Sequence, residues 1–374
     1  MAPSRRNRIL IVDDSAVMRS FLRSVIASDS ALEVAGTAVD GASTLGLLEL
    51  NRPDLILLDV EMPVMNGLDT LKQLRRRSHK MPVVMCSSLT RSGARVTIEA
   101  LAAGASDYVT KPAGHSSREQ AFQALAQDLL PKIHALIGGT ERQPLSSIAS
   151  RTNDAIFSPP KAPSIASQPT VVVIGVSTGG PAALDLLLPA LPAGFPLPIL
   201  IVQHMPEVFT GLFAQRLDHR CPLRVREARE GDQVLPGNIL IARGGWHMEI
   251  VACGHPGVPP KVHLNQEPPE NHCRPAVDVL FRSAAKVYGP GVLGVVLTGM
   301  GSDGLAGCRH ISNQGGTIIA QDRATSTVWG MPGAVTQAGL ARKTLPLAAI
   351  APEMVRITSR SSAAGAQGRT RMAV

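Results

Sequence analysis

The sequence predicts an α/β protein of two doubly wound domains, each built on a mainly parallel sheet. Three observations point to this fold class. Short apolar runs alternate with amphipathic stretches, polar residues follow the apolar runs, and a segment rich in Gly, Pro and Ser divides the chain. We therefore expect a (βα)5 domain over residues 7–137, a linker over 138–169, a Rossmann-like domain over 170–357 and a basic flexible tail over 358–374.

Composition narrows the class of protein further. Of the 374 residues 44% are hydrophobic, yet no apolar run reaches the length of a membrane span. The basic start and its short apolar run, which ends in two aspartates, argue against a secretory signal. Five scattered cysteines without a C-x-x-C pair are typical of a reducing cytoplasm. We expect a soluble, cytoplasmic monomer without structural zinc, because no recognised ligand spacing occurs among Cys253, His255, His263, His272 and Cys273.

The basic excess is interpreted as a property of the surface. The formal charge is +8, but aromatic residues make up only 3% of the chain. Much of the excess lies in Arg5–Arg8, in Arg75–Arg77 and after Arg356. This pattern favours a solvated surface that attracts an acidic protein partner, and no nucleic acid is expected as a ligand.

Apolar runs predict the five strands of the first domain: Ile9–Val12, Glu33–Val39, Leu55–Asp59, Pro82–Cys86 and Asp107–Val109. Between them, apolar residues recur at helical spacing, as at Val17, Phe21 and Val25.

Four of these strands end in residues that can carry chemistry: Asp13 with Asp14, Asp59, Ser87 and Lys111. Clustered carboxylates need a cation, and oxygen ligands suit Mg²⁺. The metal would neutralise an incoming phosphoryl group, which Asp59 would then attack. For any single acid, an exposed loop charge remains the alternative.

Motifs of this domain resemble those of response-regulator receiver domains: VDDS at Val12–Ser15, LLDVEMPVMNG at Leu57–Gly67, SSLT at Ser87–Thr90 and DYVTKP at Asp107–Pro112. The resemblance implies that Asp59 accepts a phosphoryl group from a partner histidine kinase. It implies an Mg²⁺ site completed by Asp13, Asp14 and the Glu61 backbone carbonyl. It also implies that Lys111 and Ser87 contact the phosphoryl oxygens, and that Tyr108 changes rotamer with them.

The second domain is organised around the stretch VVVIGVSTGGP at Val171–Pro181. It predicts a buried strand, a tight turn and a helix over Pro181–Leu191, with proline at the first helical position. Ser177 has a G-x-S-x-G spacing with Gly175 and Gly179, which exposes its hydroxyl beside free amides and favours a nucleophile. A plain tight turn remains the alternative. A phosphate cradle lacks both the G-x-G-x-x-G spacing and a P-loop lysine.

Two later strand ends offer partners for this hydroxyl. Pro198–Val202 predicts a strand that runs into His204, and Gly294–Leu297 predicts one that leads into a Gly-rich loop with Asp303. Parallel strands end at one edge, so the histidine can take the serine proton while the aspartate holds the imidazole. The order Ser, His, Asp is not that of α/β-hydrolases, so the motif does not assign their fold. A surface histidine and an aspartate that caps the following helix remain alternatives.

Motifs of this half resemble the chemotaxis protein-glutamate methylesterase family: GVSTGGP at Gly175–Pro181, VQHMPEVFTGLFAQRL at Val202–Leu217, HCRPAVDVLF at His272–Phe281, LTGMGSDGLAG at Leu297–Gly307 and QDRATSTVWGMPGA at Gln321–Ala334. The family carries a receiver followed by this domain. The resemblance implies hydrolysis of glutamyl methyl esters on methyl-accepting chemoreceptors with release of methanol, deamidation of receptor glutamines, and no cofactor in this domain.

The same resemblance assigns roles to residues. Ser177 would be the nucleophile, His204 the general base and acid, and Asp303 the group that orients it. The Met300 amide, with Thr178 nearby, would help to hold the oxyanion. Arg323 departs from the family pattern, which usually has an acid at this position.

The resemblance finally implies that the unphosphorylated receiver covers the active site and that phosphorylation weakens this packing. We expect no insertion of the protein into a membrane. Two rival functions remain open. One is a phosphorylation-controlled DNA-binding regulator, although the second half has no short helix-turn-helix pattern. The other is a non-enzymatic adaptor that binds receptors through the same domain.

Overall fold

Parallel β-sheets form the centre of both halves of the chain, as the sequence predicts. The computed structural model describes residues 5–112, 114, 117–138, 168–255 and 257–369. Most of the predicted linker over 138–169 lies outside these residues.

The N-terminal domain is a parallel sheet with helices on both faces, in the strand order β2-β1-β3-β4-β5. Its strands are β1 Asn7–Val12, β2 Leu32–Ala38, β3 Leu55–Asp59, β4 Val83–Ser87 and β5 Asp107–Thr110. Its helices are α1 Ala16–Ala27, α2 Gly41–Asn51, α3 Gly67–Arg76, α4 Arg91–Ala102 and α5 Arg118–Ile137. The strand order reverses between β1 and β3, and this switch point is where ligands bind in such sheets.

The sequence predicts the five strands of this domain to within about two residues at each end, but one residue of α1 departs from the prediction. Phe21 and Val25 are buried on the inner face of the helix, but Val17 is 80% exposed. Ser15 caps α1 by accepting a hydrogen bond from the Met18 amide, so Val17 lies in the first turn. The apolar stripe therefore begins one turn later than the sequence predicts.

The C-terminal domain has a larger parallel sheet in the order β14-β13-β12-β6-β7-β9-β8 and a separate antiparallel hairpin, β10-β11. Its strands are β6 Val171–Val176, β7 Ile199–Gln203, β8 Arg224–Glu227, β9 Asn238–Ile241, β10 His247–Val251, β11 Lys261–Asn265, β12 Val292–Val296, β13 Thr317–Gln321 and β14 Lys343–Leu345. Its helices are α6 Gly180–Leu187, α7 Glu207–Asp218, α8 Val277–Tyr288, α9 Leu305–Asn313, α10 Met331–Gln337 and α11 Leu347–Arg369. The buried strand β6 pairs with β7 on one side and with β12 on the other.

Two helices differ from the prediction at their ends. Helix α6 starts at Gly180, which places Pro181 second, and a 3₁₀ turn at Leu188–Ala190 replaces its predicted end. The backbone of α11 runs to Arg369 and so enters the segment over 358–374 for which the sequence predicts a flexible tail. Thr358 is buried and its hydroxyl donates to the Met354 carbonyl.

Helix α4 of the N-terminal domain packs against α6 and α7 of the C-terminal domain. This contact brings the start of β5 close to the turn that follows β6. Among the described residues, no helix is both long and apolar enough to cross a bilayer.

We predict that Gly175→Ala destabilises the C-terminal domain. A Cβ at Gly175 would lie 2.3 Å from Cγ1 of the buried Val277, and a β-branched core side chain cannot move aside easily. Overpacking of this kind costs about 1–3 kcal/mol. Thermal or urea unfolding measures the change.

Gly211→Ala in α7 is the matched control. A Cβ there meets its nearest atom, an oxygen of Glu227, at 3.6 Å. Helix propensity then favours alanine, and we expect a gain of about 0.5–1 kcal/mol. Equal stability of the two variants would contradict the packing argument.

Candidate functional site

The turn after β6 is held in a tight conformation. The Ser177 amide donates to the Thr298 carbonyl at 3.0 Å, and the Gly180 amide donates to the Ser177 carbonyl at 2.7 Å. Gly179 has a left-handed φ of 77°, and a Cβ there would lie 2.4 Å from the Thr327 hydroxyl. The backbone therefore turns sharply at this point and leaves Ser177 half-buried at the sheet edge.

Strand pairing places His204 beside Ser177. Val176 of β6 is paired with Gln203 of β7, so the two site residues follow at the same level of adjacent strands. The buried Gln203 side chain donates from Nε2 to the carbonyl oxygens of both residues, each at 3.1 Å. Sequence reasoning missed these two hydrogen bonds of Gln203, for which the only signal was a glutamine at the end of an apolar strand.

The imidazole of His204 is paired with a fixed carboxylate. Its Nε2 donates to Oδ2 of Asp303 at 2.8 Å. Asp303 also accepts hydrogen bonds from the backbone amides of Val277, Asp278 and Gly304, at 2.7, 3.0 and 3.0 Å. The aspartate therefore does cap a helix, but this helix is α8 and not the following helix α9.

These contacts set the charges of the pair. Burial alone would lower the pKa of His204, but the hydrogen bonds to Asp303 and Cys273 outweigh it and raise this pKa to about 9. Burial alone would raise the pKa of Asp303, but His204 and the α8 amides lower it below the ordinary value. The site thus favours an imidazolium next to a carboxylate, the charge state that follows proton transfer to His204.

The other imidazole nitrogen faces a thiol. Nδ1 of His204 lies 3.5 Å from Sγ of Cys273, and within the described part of the chain no hydrogen bond joins His204 to the Ser177 hydroxyl. Since Nε2 is engaged by Asp303, Nδ1 is the nitrogen left to take a proton from Ser177. The thiol must therefore give way before that transfer. Cys273 was absent from the predicted catalytic set.

The predicted oxyanion residues lie around the same turn. Gly299 lies directly alongside Ser177, since a Cβ on it would approach the serine Cβ to 2.9 Å, and the half-buried Met300 follows. Thr178 is buried, and its carbonyl accepts a hydrogen bond from the Thr298 hydroxyl at 2.9 Å. Arg323, by contrast, is exposed, with its guanidinium 5.8 Å from the Trp329 ring.

The N-terminal domain contacts this turn directly. The Thr178 hydroxyl donates to Oδ2 of Asp107 in β5 at 2.7 Å. Next to it, the buried Tyr108 ring stacks on Phe209 of α7, with 4.7 Å between ring centroids. Lys132 of α5 donates to the Tyr108 carbonyl at 2.8 Å. The residue after the candidate nucleophile is therefore held by a carboxylate from the other domain.

A second candidate site lies at the switch point of the N-terminal sheet. Oxygens of Asp13, Asp14 and Asp59 lie within 4.8 Å of one another, and Lys111 Nζ is 2.8 Å from Asp13 and 2.7 Å from Asp59. Burial is the main cause that raises the pKa of Asp59, to about 6. Hard carboxylate oxygens fit Mg²⁺, and a divalent cation would offset the repulsion among them.

The other predicted residues of this site differ in where they lie relative to the acidic cluster. Ser87 is buried at the end of β4, where its Oγ lies 2.7 Å from the Thr97 hydroxyl. Glu61 is exposed in the loop just after Asp59. Tyr108 turns away from the cluster and faces the C-terminal domain.

Both domains match known protein families. The family model described as CheB methylesterase matches residues 172–354, and the response regulator receiver domain model matches residues 9–132. A Nocardioides protein named protein-glutamate methylesterase/protein-glutamine glutaminase is 45% identical over 94% of this chain and 96% of its own length. A protein of the same name from Trichodesmium erythraeum is 45% identical over 93% of this chain and 98% of its own. The crystal structure of the Thermotoga maritima CheB methylesterase catalytic domain is 42% identical and covers 50% of this chain and 98% of its own, with a TM-score of 0.49.

We predict that His204 titrates near pH 9 in the intact chain and at lower pH in Cys273→Ala. The thiol is one of the contacts that raise this pKa, so its removal favours the neutral imidazole. NMR titration of the histidine ring protons measures both values. Cys221→Ala, which removes a thiol at the end of α7, is the control, and identical shifts in the two variants would refute the assignment.

Proposed function

The chain belongs to the CheB methylesterase family and is a receiver-regulated protein-glutamate methylesterase and protein-glutamine glutaminase, and we propose that Ser177, His204 and Asp303 carry its reaction. One observation carries this assignment. The His204–Asp303 pair, joined at 2.8 Å, lies beside the Ser177 turn at the carboxyl edge of the sheet.

The proposed reaction has two stages. The Ser177 hydroxyl attacks the carbonyl carbon of a glutamyl methyl ester while Nδ1 of His204 accepts its proton, and Asp303 stabilises the imidazolium. Backbone amides near Met300 and Thr178 hold the developing oxyanion. Methanol leaves with the proton from His204, and water then hydrolyses the acyl-serine to release the glutamate. With a glutamine substrate, ammonia leaves in place of methanol.

The receiver is the proposed control element. Asp59 accepts a phosphoryl group from a histidine kinase, with Lys111 and Ser87 as contacts for its oxygens. Mg²⁺, when bound, supplies positive charge that offsets the phosphoryl oxygens. Asp13, Asp14, Asp59 and the Glu61 carbonyl would hold it, and the close acidic cluster supports this choice.

The substrates we propose are methyl-accepting chemoreceptors, and the compartment is the cytoplasm. All five cysteines lie among the described residues and are free, which suits a reducing compartment.

The Asp107–Thr178 hydrogen bond and the Tyr108–Phe209 stack hold the unphosphorylated receiver over the nucleophile turn. Phosphorylation shifts the population towards a state in which these contacts are lost.

Ser177→Ala should lower the rate of methanol release from methylated receptor fragments by about 10⁴–10⁶, because the attacking group is gone. Asp303→Asn should cost about 10⁴ through the wrong imidazole tautomer. Ser312→Ala on the exposed face of α9 is the control and should leave the rate unchanged. If Ser177→Ala or Asp303→Asn retained half of the wild-type rate, its assigned role would be wrong.

Tyr108→Leu should raise the rate of the unphosphorylated chain about fivefold, since a stacked aromatic pair contributes about 1 kcal/mol to the closed state. Methanol release without a phosphodonor measures the change. Phe122→Leu removes a ring from an aromatic pair within the receiver, with Phe21, and serves as the control. A rate for Tyr108→Leu at or below that of the wild type would contradict the proposal that the unphosphorylated receiver covers the active site.

A further inference from the structure

Asn271 lies between two carboxylates of the C-terminal site. Its Nδ2 donates to Oδ1 of Asp303 and to Oδ2 of Asp278, each at 2.9 Å. An amide nitrogen carries two hydrogens, so each carboxylate receives one. Among the described residues, Asn271 is the hydrogen-bond partner of that Asp278 oxygen, while the other accepts from the Gly307 amide at 2.6 Å.

The local backbone is shaped to place this amide. Glu270 and Cys273 exchange backbone hydrogen bonds of 3.1 and 2.9 Å, which closes a two-residue turn. Both central residues, Asn271 and His272, have left-handed φ angles, 53° and 62°. Such a turn demands positive φ at both positions, and asparagine tolerates it better than most residues. Cys273, which faces His204, is the last residue of the same turn.

The two carboxylates would otherwise repel each other. Asp278 is buried, and burial followed by the nearby charge of Asp303 raises its pKa. Asp303 retains donors from the backbone when Asn271 is removed, so its charge remains accommodated. Without Asn271, Oδ2 of Asp278 would lose this donor, and the repulsion between the two carboxylates would no longer be offset there.

We propose that Asn271 is a positioning residue for hydrolysis: its amide bridges the carboxylates of Asp278 and Asp303 and fixes that of Asp303 in the orientation that engages His204. The inference rests on the proposed roles of the three catalytic residues. Its effect belongs to the chemical step, since the contact acts through the base and not through substrate binding.

Two substitutions in the intact chain test this role. Asn271→Gly keeps the left-handed backbone but removes the amide, and should lower kcat about tenfold or more with KM within about twofold. Asn271→Asp keeps the shape but brings a third carboxylate, and should lower kcat further. His272→Gly alters the exposed neighbouring residue of the same turn and should leave kcat and the melting temperature unchanged.

The outcomes separate this proposal from the function itself. If Ser177→Ala is inactive while Asn271→Gly keeps more than half of the wild-type kcat, the positioning role is overturned and the catalytic assignment stands. If Ser177→Ala is active, the catalytic assignment fails first. Equal losses of kcat in Asn271→Gly and His272→Gly would reduce Asn271 to a turn residue, and a rise in KM without a fall in kcat would assign it to substrate binding; either result overturns the positioning role. A kcat loss in both Asn271 variants, with melting temperatures near that of the wild type, supports the proposal.

Discussion

The buried carboxylate of Asp303 is the group on which the C-terminal site depends. It follows β12, yet it accepts hydrogen bonds from the first turn of α8, from the imidazole after β7 and from Asn271. A charge in such a place is stable only when donors surround it. Because these donors come from separate segments, the charge is accommodated only when strand, helix and loop are all in place. The geometry of the base is therefore a consequence of tertiary structure and not of any local motif.

Both domains position polar residues with the same arrangement of parallel strands, but the receiver contacts the C-terminal domain through the first residues of β5 and not through the carboxyl edge of its sheet. In each, the carboxyl edge of a parallel sheet collects polar residues from distant parts of the chain. The acidic cluster lies at β1 and β3, whereas the contact with the C-terminal domain starts from β5, at Asp107 and Tyr108. Strand β4, with Ser87 at its end, lies between them in the sheet. Asp59 and the interface residues of β5 therefore lie two strands apart in one sheet.

Sequence reasoning succeeded where a pattern is local. Continuous apolar runs mark the buried strands of the first domain and β6, β7 and β12 of the second, because a strand covered on both faces has no polar side. Strand order then brings His204 beside Ser177. The contacts of Cys273, Asn271 and Gln203 depend on which loops meet, and no spacing in the chain encodes that. The hairpin β10-β11 and the helical end of α11 were missed for a related reason, since their patterns are short or weakly amphipathic.

The hydrogen bond from Thr178 to Asp107 has a further consequence on the proposed regulation. The receiver then behaves as a tethered competitor, bound next to the nucleophile at an effective concentration that the linker sets. A competitor of this kind is displaced as the concentration of substrate rises. Dense clusters of the proposed receptor substrates would displace it more readily than isolated ones, so the resting rate of the enzyme would follow the local concentration of its substrate as well as phosphorylation of the receiver.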